Sequence, residues 1–378
     1  MEVKNYNKIL TLFILWSSVF AFAQNTLADK KATPETQNLY KNLWKLLDKG
    51  IMFGHQDALG YGVNWRMQKG RSDVKEVAGD FPAVFGWDIG GVEKDAPGSI
   101  DIFTFTDQKK FMEDVYNMGG INTVSWHADN PKTGKNAWDK TDVSGTVASI
   151  LPGNVNHAKF KTWLDKVAEN LSALKGKDGK TVPVLFRPYH ELTGNWFWWG
   201  KGNCTPKEFQ ELWQFTFNYL TKEKNVHNLI WVYNTSDFKS KEEFLESYPG
   251  DAFVDMVSFD IYVMDNPVFN KSFVENSQSQ FKMMNEIAKE HRKIPTLAET
   301  GYEQIPYNKF WTKTLMEAVG NYKISYILAW RNHGLTHEKK MHYYVPYKGH
   351  PNEQDFRDFY SLPKTLFLKD IQTPNIYK

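Results

Sequence analysis

Short apolar runs alternate with longer amphipathic segments along most of this chain of 378 residues. The runs are continuous and rich in β-branched and aromatic residues, which is the pattern of strands buried on both faces of a parallel sheet. Eight such runs predict strands at Ile51–Gly54, Ala83–Asp88, Gly120–Trp126, Val182–His190, Leu229–Tyr233, Met256–Tyr262, Thr296–Glu299 and Tyr326–Trp330.

Helical periodicity appears between these strands and before the first one. Thr33 is suited to cap a helix, and Pro34 fits the first helical position. The predicted helices include Thr33–Asp48, His157–Leu174, Pro206–Leu220 and Phe273–His291. Strands that alternate with helices predict a single-domain (β/α)8 TIM barrel. The alternative is an open doubly wound sheet, but its usual Gly-rich turn after the first strand is not present at Gly54–Asp57.

The N-terminus has the pattern of a secretory signal peptide. Lys4 and Lys8 precede an apolar run from Ile9 to Phe20, and Ala21-Phe22-Ala23 has the small-x-small pattern of a cleavage site. We therefore expect a signal peptide over residues 1–23, a barrel domain over residues 24–378, and a periplasmic or secreted protein. No cysteine lies near the cleavage site, so a lipid anchor is not expected.

Composition narrows the range of partners. The formal net charge is only +2 and no basic block occurs, so a nucleic-acid partner is not expected. Cys204 is the only cysteine, which excludes an intramolecular disulfide. No later segment is apolar and long enough for membrane insertion. We also expect the protein to be a monomer. Aromatic residues make up 15% of the chain, including 14 Trp, which favours a carbohydrate ligand because pyranose rings stack on aromatic faces.

Polar and aromatic residues follow nearly every predicted strand at its carboxyl end. In a (β/α)8 barrel, functional side chains come from these ends. The residues are His55, Asp57, Trp87, Asp88, Trp126, His127, Asp129, His190, Glu191, Asn234, Asp237, Asp260, Tyr262, Glu299, Trp330, Arg331 and His333. A long polar loop, Asn130–Gly153, follows the third strand and is expected to form a wall or lid of a site.

Two glutamates stand out among these residues. Glu191 and Glu299 follow apolar strands four and seven, which lie across the barrel from one another, so their side chains can converge over its mouth. Glycoside hydrolysis requires two carboxyl groups that flank the scissile bond. Asp88, Asp260 and Glu303 are competing carboxylates, but an Asp reaches less far and Glu303 is expected on the surface.

Seven motifs are spread over nearly all of the predicted mature chain. They are GHQ at Gly54–Gln56, FGWDIGG at Phe85–Gly91, WHADNP at Trp126–Pro131, RPYHELTGNWFWWG at Arg187–Gly200, FDIY at Phe259–Tyr262, LAETG at Leu297–Gly301 and AWRN at Ala329–Asn332. With these motifs the sequence resembles the family 26 glycoside hydrolases, mostly β-1,4-mannanases, within the large clan of retaining (β/α)8 enzymes. Many clan members carry Asn before the acid/base, whereas this family carries His, and His190 fits.

The resemblance implies a role for each matching residue. Glu191 would be the acid/base and Glu299 the nucleophile of a catalytic domain that cleaves β-mannan without a cofactor or metal. The substrate-binding candidates are His190, Trp196 and Tyr262 around the cleaved bond, His127, Trp330 and Arg331 on the non-reducing side, and Trp126 and Asp88 at strand ends.

The chemistry supports these two roles independently. Burial among Trp196, Phe197 and Trp198 would raise the pKa of Glu191, while the nucleophile must stay ionised. Tyr262 is expected to donate a hydrogen bond to Glu299. Arg187 has the same strand parity as Glu191, so it either supports the carboxylates or satisfies carbonyls at the strand end.

Three other functions stay open. His55-x-Asp57 and His127-x-Asp129 are loose metal-binding patterns, as in a metal-dependent polysaccharide deacetylase. A non-catalytic glycan-binding barrel would be expected to lack one of the two glutamates. A β-1,3-xylanase or mixed-linkage glucanase would use the same chemistry on another sugar. The sequence leaves endo or exo action and the tolerance of galactose branches undecided.

Overall fold

A computed structural model describes residues 26–98 and 102–378. Eight parallel strands form its central sheet, and their pairing follows their order along the chain. They are β1 (Ile51–Gln56), β2 (Val84–Asp88), β3 (Ile121–Trp126), β4 (Val184–Pro188), β5 (Leu229–Thr235), β6 (Met256–Val263), β7 (Ile294–Tyr302) and β8 (Tyr326–Ala329). The sheet closes because β8 pairs with β1, with Met52 opposite Tyr326 and Gly54 opposite Leu328. The predicted (β/α)8 barrel is confirmed.

Helices cover the outside of this barrel. In the described ranges they are α1 (Pro34–Leu46), α2 (Asp73–Ala78), α3 (Phe105–Asn117), α4 (Thr146–Ile150), α5 (His157–Ser172), α6 (Pro206–Asn218), α7 (Lys241–Leu245), α8 (Ser272–His291), α9 (Met316–Val319), α10 (Glu353–Tyr360) and α11 (Leu368–Gln372). Short 3₁₀ turns lie at Val92–Lys94 and Asp251–Phe253, and π turns at Tyr219–Glu223 and Phe310–Leu315. None of the described helices is long and apolar enough to cross a bilayer.

Among the described residues, five short strand segments lie outside the eight barrel strands. Tyr61–Gly62 pairs with Trp65–Arg66 in a hairpin after β1, and Gly334–Leu335 pairs with Met341–His342 in a hairpin after β8. Thr365–Leu366 runs parallel to the start of β1. The two hairpins follow carboxyl ends of strands and therefore lie on the face of the barrel where function is expected.

The predicted elements are present, and the differences lie at their ends. Thr33 caps α1 by accepting a hydrogen bond from the backbone N–H of Thr36. Strand β4 stops at Pro188, short of the predicted end at His190, because Tyr189 has a φ of +52° and turns the chain out of the sheet. The loop predicted over Asn130–Gly153 contains the short helix α4. The signal peptide predicted over residues 1–23 lies outside the described residues.

The hydrophobic core fills the space between barrel and helices. Phe53 of β1 shows how densely aromatic rings pack there, with its ring 5.6 Å from Trp311, 5.3 Å from Phe356 and 5.2 Å from Phe367. On α1, Leu39 and Leu43 are fully buried, as their helical spacing predicted. This shell holds the strands rigidly, so the residues at their carboxyl ends sit on a fixed frame.

A β-bulge in β7 decides which way Glu299 points. Phe259 of β6 lies opposite Leu297, but the next pair is Asp260 and Glu299, so Ala298 is an extra residue in β7. Side chains alternate between the faces of a strand, and one inserted residue reverses that alternation. The bulge therefore places Glu299 on the same inward face as Asp260, where uninterrupted pairing would turn it towards the helices.

Candidate active site

The turn after β4 positions Glu191. Its φ is +54°, an unusual conformation for a residue with a side chain, and a second positive φ occurs two residues earlier at Tyr189. The backbone N–H of Glu191 donates to Asn234 Oδ1 at 3.0 Å, which fixes the turn to the end of β5. Trp196 Nε1 donates to Glu191 Oε2 at 2.7 Å. The carboxyl group is thus oriented by residues from its own loop and from the neighbouring strand.

Glu299 lies within β7 and is held from two sides. Tyr262 Oη donates a hydrogen bond of 2.8 Å to Glu299 Oε2, as expected from the sequence. The guanidinium of Arg187 forms an ion pair with Glu299 Oε1. Both contacts restrict the rotation of the carboxyl group.

Arg187 connects the carboxylates beneath the barrel mouth. Besides Glu299, its guanidinium contacts Asp260 Oδ2 at 2.9 Å and Asn234 Oδ1 at 3.0 Å. Burial alone would lower the pKa of Arg187, but the charges of Asp260 and Glu299 outweigh that effect and raise it. Of the two roles that the sequence left open, the structure shows the electrostatic one.

The separation of the carboxylates indicates the type of displacement. One carboxylate oxygen from each of Glu191, Asp260 and Glu299 lies within 4.8 Å of the other two. Retaining glycosidases hold their two carboxyl groups about 5–5.5 Å apart, whereas inverting enzymes leave roughly 6.5–9.5 Å for a water molecule. The spacing of Glu191 and Glu299 fits direct attack by one carboxylate on the sugar.

The competing carboxylates are engaged elsewhere. Asp260 pairs with Arg187 and also accepts from Asn234 Nδ2 at 2.9 Å. Glu303 is exposed, as predicted, and pairs with His342 at 2.8 Å. Asp260 and Glu303 are therefore each paired with a cation or a histidine.

The environment of Glu191 suits a group that delivers a proton. Burial raises its pKa to about 7, with the charge of Glu299 as the next contribution, while the Trp196 hydrogen bond opposes the rise. A general acid works best when its pKa lies near the operating pH. Glu191 therefore retains its proton close to neutrality beside an ion-paired Glu299.

This raised pKa predicts an alkaline limb in the pH profile. Because the protonated form of Glu191 is required, kcat/KM on a polysaccharide should fall about tenfold per pH unit above about pH 7. An aryl glycoside with a good leaving group needs little protonation, so its kcat/KM should stay nearly level over the same range. Steady-state kinetics on both substrates measure this difference. Equal alkaline limbs on the two substrates would contradict the assignment of the limb to Glu191.

His127 and His190 form a buried polar pair beside the carboxylates. Their Nε2 atoms lie 3.2 Å apart, and His127 Nδ1 lies 2.7 Å from Asp88 Oδ2. Burial, together with the charges of His127 and Arg187, lowers the pKa of His190 well below its usual range. Asp88 counterbalances burial at His127 and raises the pKa of that ring. The two pKa shifts are opposite: the surroundings of His190 favour its neutral ring, and Asp88 favours protonation of His127.

Asp88 does not fit the substrate-binding role predicted for it. Its side chain is fully buried behind His127 and accepts hydrogen bonds from Ser125 Oγ at 2.7 Å and from the backbone N–H of Gly90 at 2.8 Å. These contacts lie on the inner side of β2 and β3. Asp88 positions His127.

Trp126 also departs from the predicted role. It is fully buried, its ring stacks on Phe160 of α5 with centroids 6.3 Å apart, and its Nε1 donates to Glu93 Oε2 at 3.0 Å. Ser125 faces inward towards Asp88, so alternation along β3 turns the next residue towards the helices. Trp126 therefore belongs to the core between barrel and helices.

Trp196, Trp330 and Arg331 lie in the segments that follow the carboxyl ends of β4 and β8. Trp196 remains 39% exposed although its indole nitrogen binds Glu191. Trp330 follows the end of β8 and is partly exposed, and the guanidinium carbon of Arg331 lies 5.8 Å from its ring centroid. These accessible rings are suitable surfaces for sugar stacking.

Replacing either accessible tryptophan should weaken substrate use. We expect Trp196→Ala and Trp330→Ala each to lower kcat/KM. The free-energy barrier that corresponds to kcat/KM should rise by roughly 1–3 kcal/mol, the scale of one large apolar contact. Trp196→Phe keeps a ring but removes the hydrogen bond to Glu191, so it should move the alkaline limb to higher pH. Kinetics paired with thermal unfolding separate the effects. A stability loss without a kinetic effect would assign that tryptophan to the core.

Two aromatic residues at the site were not predicted from the sequence. Trp138 lies in the loop after β3, is 46% exposed and stacks on His127 with centroids 5.0 Å apart. A single Trp in a polar loop is a sequence signal from which Trp138 could have been predicted as a site residue. The ring of Tyr344 lies 5.7 Å from that of Tyr262, and a Cβ on Gly301 would meet Tyr344 at 2.2 Å. No sequence pattern indicated that Tyr344 would lie close to Tyr262.

The metal-binding alternative receives no support from the geometry. In the described part of the chain, the group of three or more metal-ligating side chains within reach of one ion is Glu191, Asp260 and Glu299. Arg187 already supplies the positive charge there. His127 pairs with Asp88, and neither predicted His-x-Asp pattern contributes to such a group.

The fold and the site together define a class of protein, the (β/α)8 glycoside hydrolases with two catalytic carboxylates. Residues 28–341 match the model of glycosyl hydrolase family 26. The chain belongs to this family, which confirms the resemblance seen in its motifs.

Related sequences are consistent with this family membership. The chain is 31% identical over 360 residues to a mannan endo-1,4-beta-mannosidase of Bifidobacterium adolescentis, covering 90% of this chain and 35% of that protein. A mannan endo-1,4-beta-mannosidase of Bacillus subtilis strain 168 is 27% identical over 285 residues, which cover 70% and 75% of the two chains. The alignments thus span about a third of the former relative and three quarters of the latter.

Solved structures extend the likeness to the whole fold. A family 26 beta-mannanase from Bacteroides ovatus has a TM-score of 0.86 and 40% identity, covering 92% of this chain and 98% of that one. An endo-beta-1,4-mannanase from Cellulomonas fimi has a TM-score of 0.81 and 32% identity, with coverage of 92% and 78%.

Proposed function

We propose that this protein hydrolyses β-1,4-mannosidic bonds in mannan, glucomannan or galactomannan with retention of configuration. The observation that carries the proposal is the pair Glu191 and Glu299, which have one carboxylate oxygen each within 4.8 Å of the other and lie in contrasting environments. Family membership and the mannanase names of the relatives support the choice of sugar.

In this proposal each carboxyl group has its own role. Glu299, held by Tyr262 and Arg187, attacks the anomeric carbon and forms a glycosyl-enzyme ester. Glu191 transfers its proton to the departing glycosidic oxygen, so the leaving sugar departs as an alcohol. The resulting Glu191 carboxylate then takes a proton from water, which attacks the ester and releases the sugar with its original configuration.

The substrate preference is directly testable. Reducing-sugar release should be much higher on mannan than on xylan, cellulose or mixed-linkage glucan at equal mass concentration. Chromatography of the products would also distinguish internal cleavage from release of short units at a chain end. Preferred hydrolysis of xylan or glucan would overturn the choice of mannan while leaving the two-carboxylate mechanism in place.

We also propose that the protein is exported to the periplasm or the medium and acts as a monomer. Support comes from the charged start, apolar run and Ala21-Phe22-Ala23 pattern of the first 23 residues. Cell fractionation with N-terminal sequencing of the mature protein tests export and the cleavage position. Retention of the full-length chain in the cytoplasm would contradict it.

A further inference from the structure

Two hairpins on the catalytic face border an open cavity that the reaction scheme above does not use. The hairpin Tyr61–Arg66 follows β1 and the hairpin Gly334–His342 follows β8, and these strands are neighbours where the barrel closes. The space between them, here called the hairpin cavity, has a volume of about 390 Å³ and is widely open to solvent. Small-molecule sites usually measure about 300–1,000 Å³.

A buried carboxylate locks both hairpins in place. Asp73 accepts hydrogen bonds from Trp65 Nε1 at 2.6 Å and from the backbone N–H of Val63 at 2.9 Å in the first hairpin. Asp73 also accepts a hydrogen bond of 2.8 Å from Nδ2 of Asn332, a residue just before the second hairpin. The backbones of both hairpins are therefore held in place, which reduces the entropy lost from the backbone when a ligand binds.

The lining offers hydrogen-bond donors beside an exposed apolar surface. Arg66 forms no side-chain hydrogen bond or ion pair within the described residues, and Gln68 uses only its Oε1, which accepts from Arg71 at 2.8 Å. Leu335 is 58% exposed at the opposite wall. No carboxylate is among the described residues that line the cavity. Free donors next to an apolar surface suit a neutral, polyhydroxylated ring.

His333 adds a neutral polar group to this lining. Burial, followed by the charges of Arg331 and Arg66, lowers the pKa of His333 to about 4. Its Nδ1 is buried without a hydrogen-bond partner in the described part of the chain. An uncharged imidazole can donate or accept one hydrogen bond to a hydroxyl group.

A continuous series of rings connects the carboxylates with the hairpin cavity. The ring of Tyr262, which binds Glu299, lies 5.7 Å from Tyr344, and Tyr344 lies 5.2 Å from His342. The ring of His342 is 6.4 Å from His333 in the cavity wall. The cavity thus extends the site on the β8 side, beyond the position of Arg331.

We propose that the hairpin cavity is a distal glycone subsite that binds one neutral hexopyranose of the substrate. The sugar is either a further unit of the main chain or a galactose branch, and both present the same hydroxyl-rich ring. Arg66 and Gln68 bind its hydroxyl groups while Leu335 packs against its C–H face. The proposal rests on the mannan-hydrolysing function described above.

Aryl β-glycosides of mannobiose, mannotriose and mannotetraose test the main-chain arm, because the aryl group fixes the aglycone side and each added mannose extends the glycone. We expect kcat/KM of the wild type to rise about 3- to 10-fold when the chain reaches the cavity, the range for one or two net hydrogen bonds. The variants Arg66→Ala and Leu335→Ser should abolish that rise and leave the mannobioside unaffected. Lys282→Ala, an exposed change on α8, is the matched control.

The second part of the experiment tests for a galactose branch by comparing kcat/KM on galactomannan and on linear mannan for the same variants. A loss confined to galactomannan would assign the hexose to the branch, and a loss confined to longer linear substrates would assign it to the main chain. Equal losses on all substrates, or no length effect and no galactose effect in the wild type, would overturn the subsite. If the wild type cleaves none of the mannosides, the proposed function itself fails, which is a separate outcome from a missing length effect.

Discussion

Glu299→Ala should reduce hydrolysis of every substrate by at least about 10⁴-fold, a loss comparable to removal of the nucleophile in other covalent mechanisms. Glu299 is the group that would form the ester bond with the sugar, and the hydrogen bond from Tyr262 and the ion pair with Arg187 hold it for that step. A better leaving group cannot compensate for an absent nucleophile. Polysaccharide and aryl glycosides should therefore suffer alike.

A matched control separates this effect from general damage. Glu317→Ala removes an exposed glutamate on α9, outside the barrel mouth, and should retain full activity. Thermal unfolding of both variants checks that the barrel is intact. Substantial activity in a folded Glu299→Ala protein would show that another group forms the intermediate.

The position left by Glu299 also makes a stereochemical test possible. In Glu299→Ala, added azide can attack the anomeric carbon only from the vacated face, which gives the α-glycosyl azide. Nuclear magnetic resonance of the product identifies the anomer. For the wild type, the first product should have the β configuration, and an initial α product would exclude the retaining mechanism.

Glu191→Ala should have an effect that depends on the leaving group. On polysaccharide, loss of the general acid should lower the rate about 10²–10⁴-fold. On an aryl β-mannoside with a good leaving group, the first step should be largely spared because little protonation is required. The second step lacks its base, so the glycosyl-enzyme should accumulate, with a burst of the aryl product that stopped-flow absorbance can measure.

Azide should restore turnover in Glu191→Ala, because it needs no general base. The product should be the β-glycosyl azide, since azide opens an intermediate already inverted once by Glu299. Glu191→Gln keeps the size of the side chain and the contact with Trp196, so it is the conservative comparison for loss of the proton. Formation of the α azide would mean that the two glutamates have exchanged roles.

The barrel and the positions of its two glutamates could be predicted from the sequence, because both depend on local pattern. Continuous apolar runs marked all eight strands, and the polar residues at their ends marked the functional face. The raised pKa of Glu191 also followed from a sequence rule, since aromatic neighbours in its loop implied burial. These features require only spacing along the chain and the chemistry of neighbouring residues.

The direction in which each side chain faces was decided by the tertiary structure. Trp126 and Asp88 end their strands as predicted, yet one packs against α5 and the other supports His127. Strand alternation determines the face, but its register depends on pairing with neighbours, and the bulge at Ala298 shows how one residue reverses it.

Contacts between distant segments were likewise beyond the sequence. Arg187 forms ion pairs with Asp260 and Glu299, and the three residues lie on three different strands. The ring of Tyr344, in the segment after β8, contacts the ring of Tyr262. The sequence by itself determined which elements form and which chemistry stands at their ends. Only the closed barrel decided which of those groups meet, because the meeting depends on the register of strands far apart in the chain and on the packing that holds them.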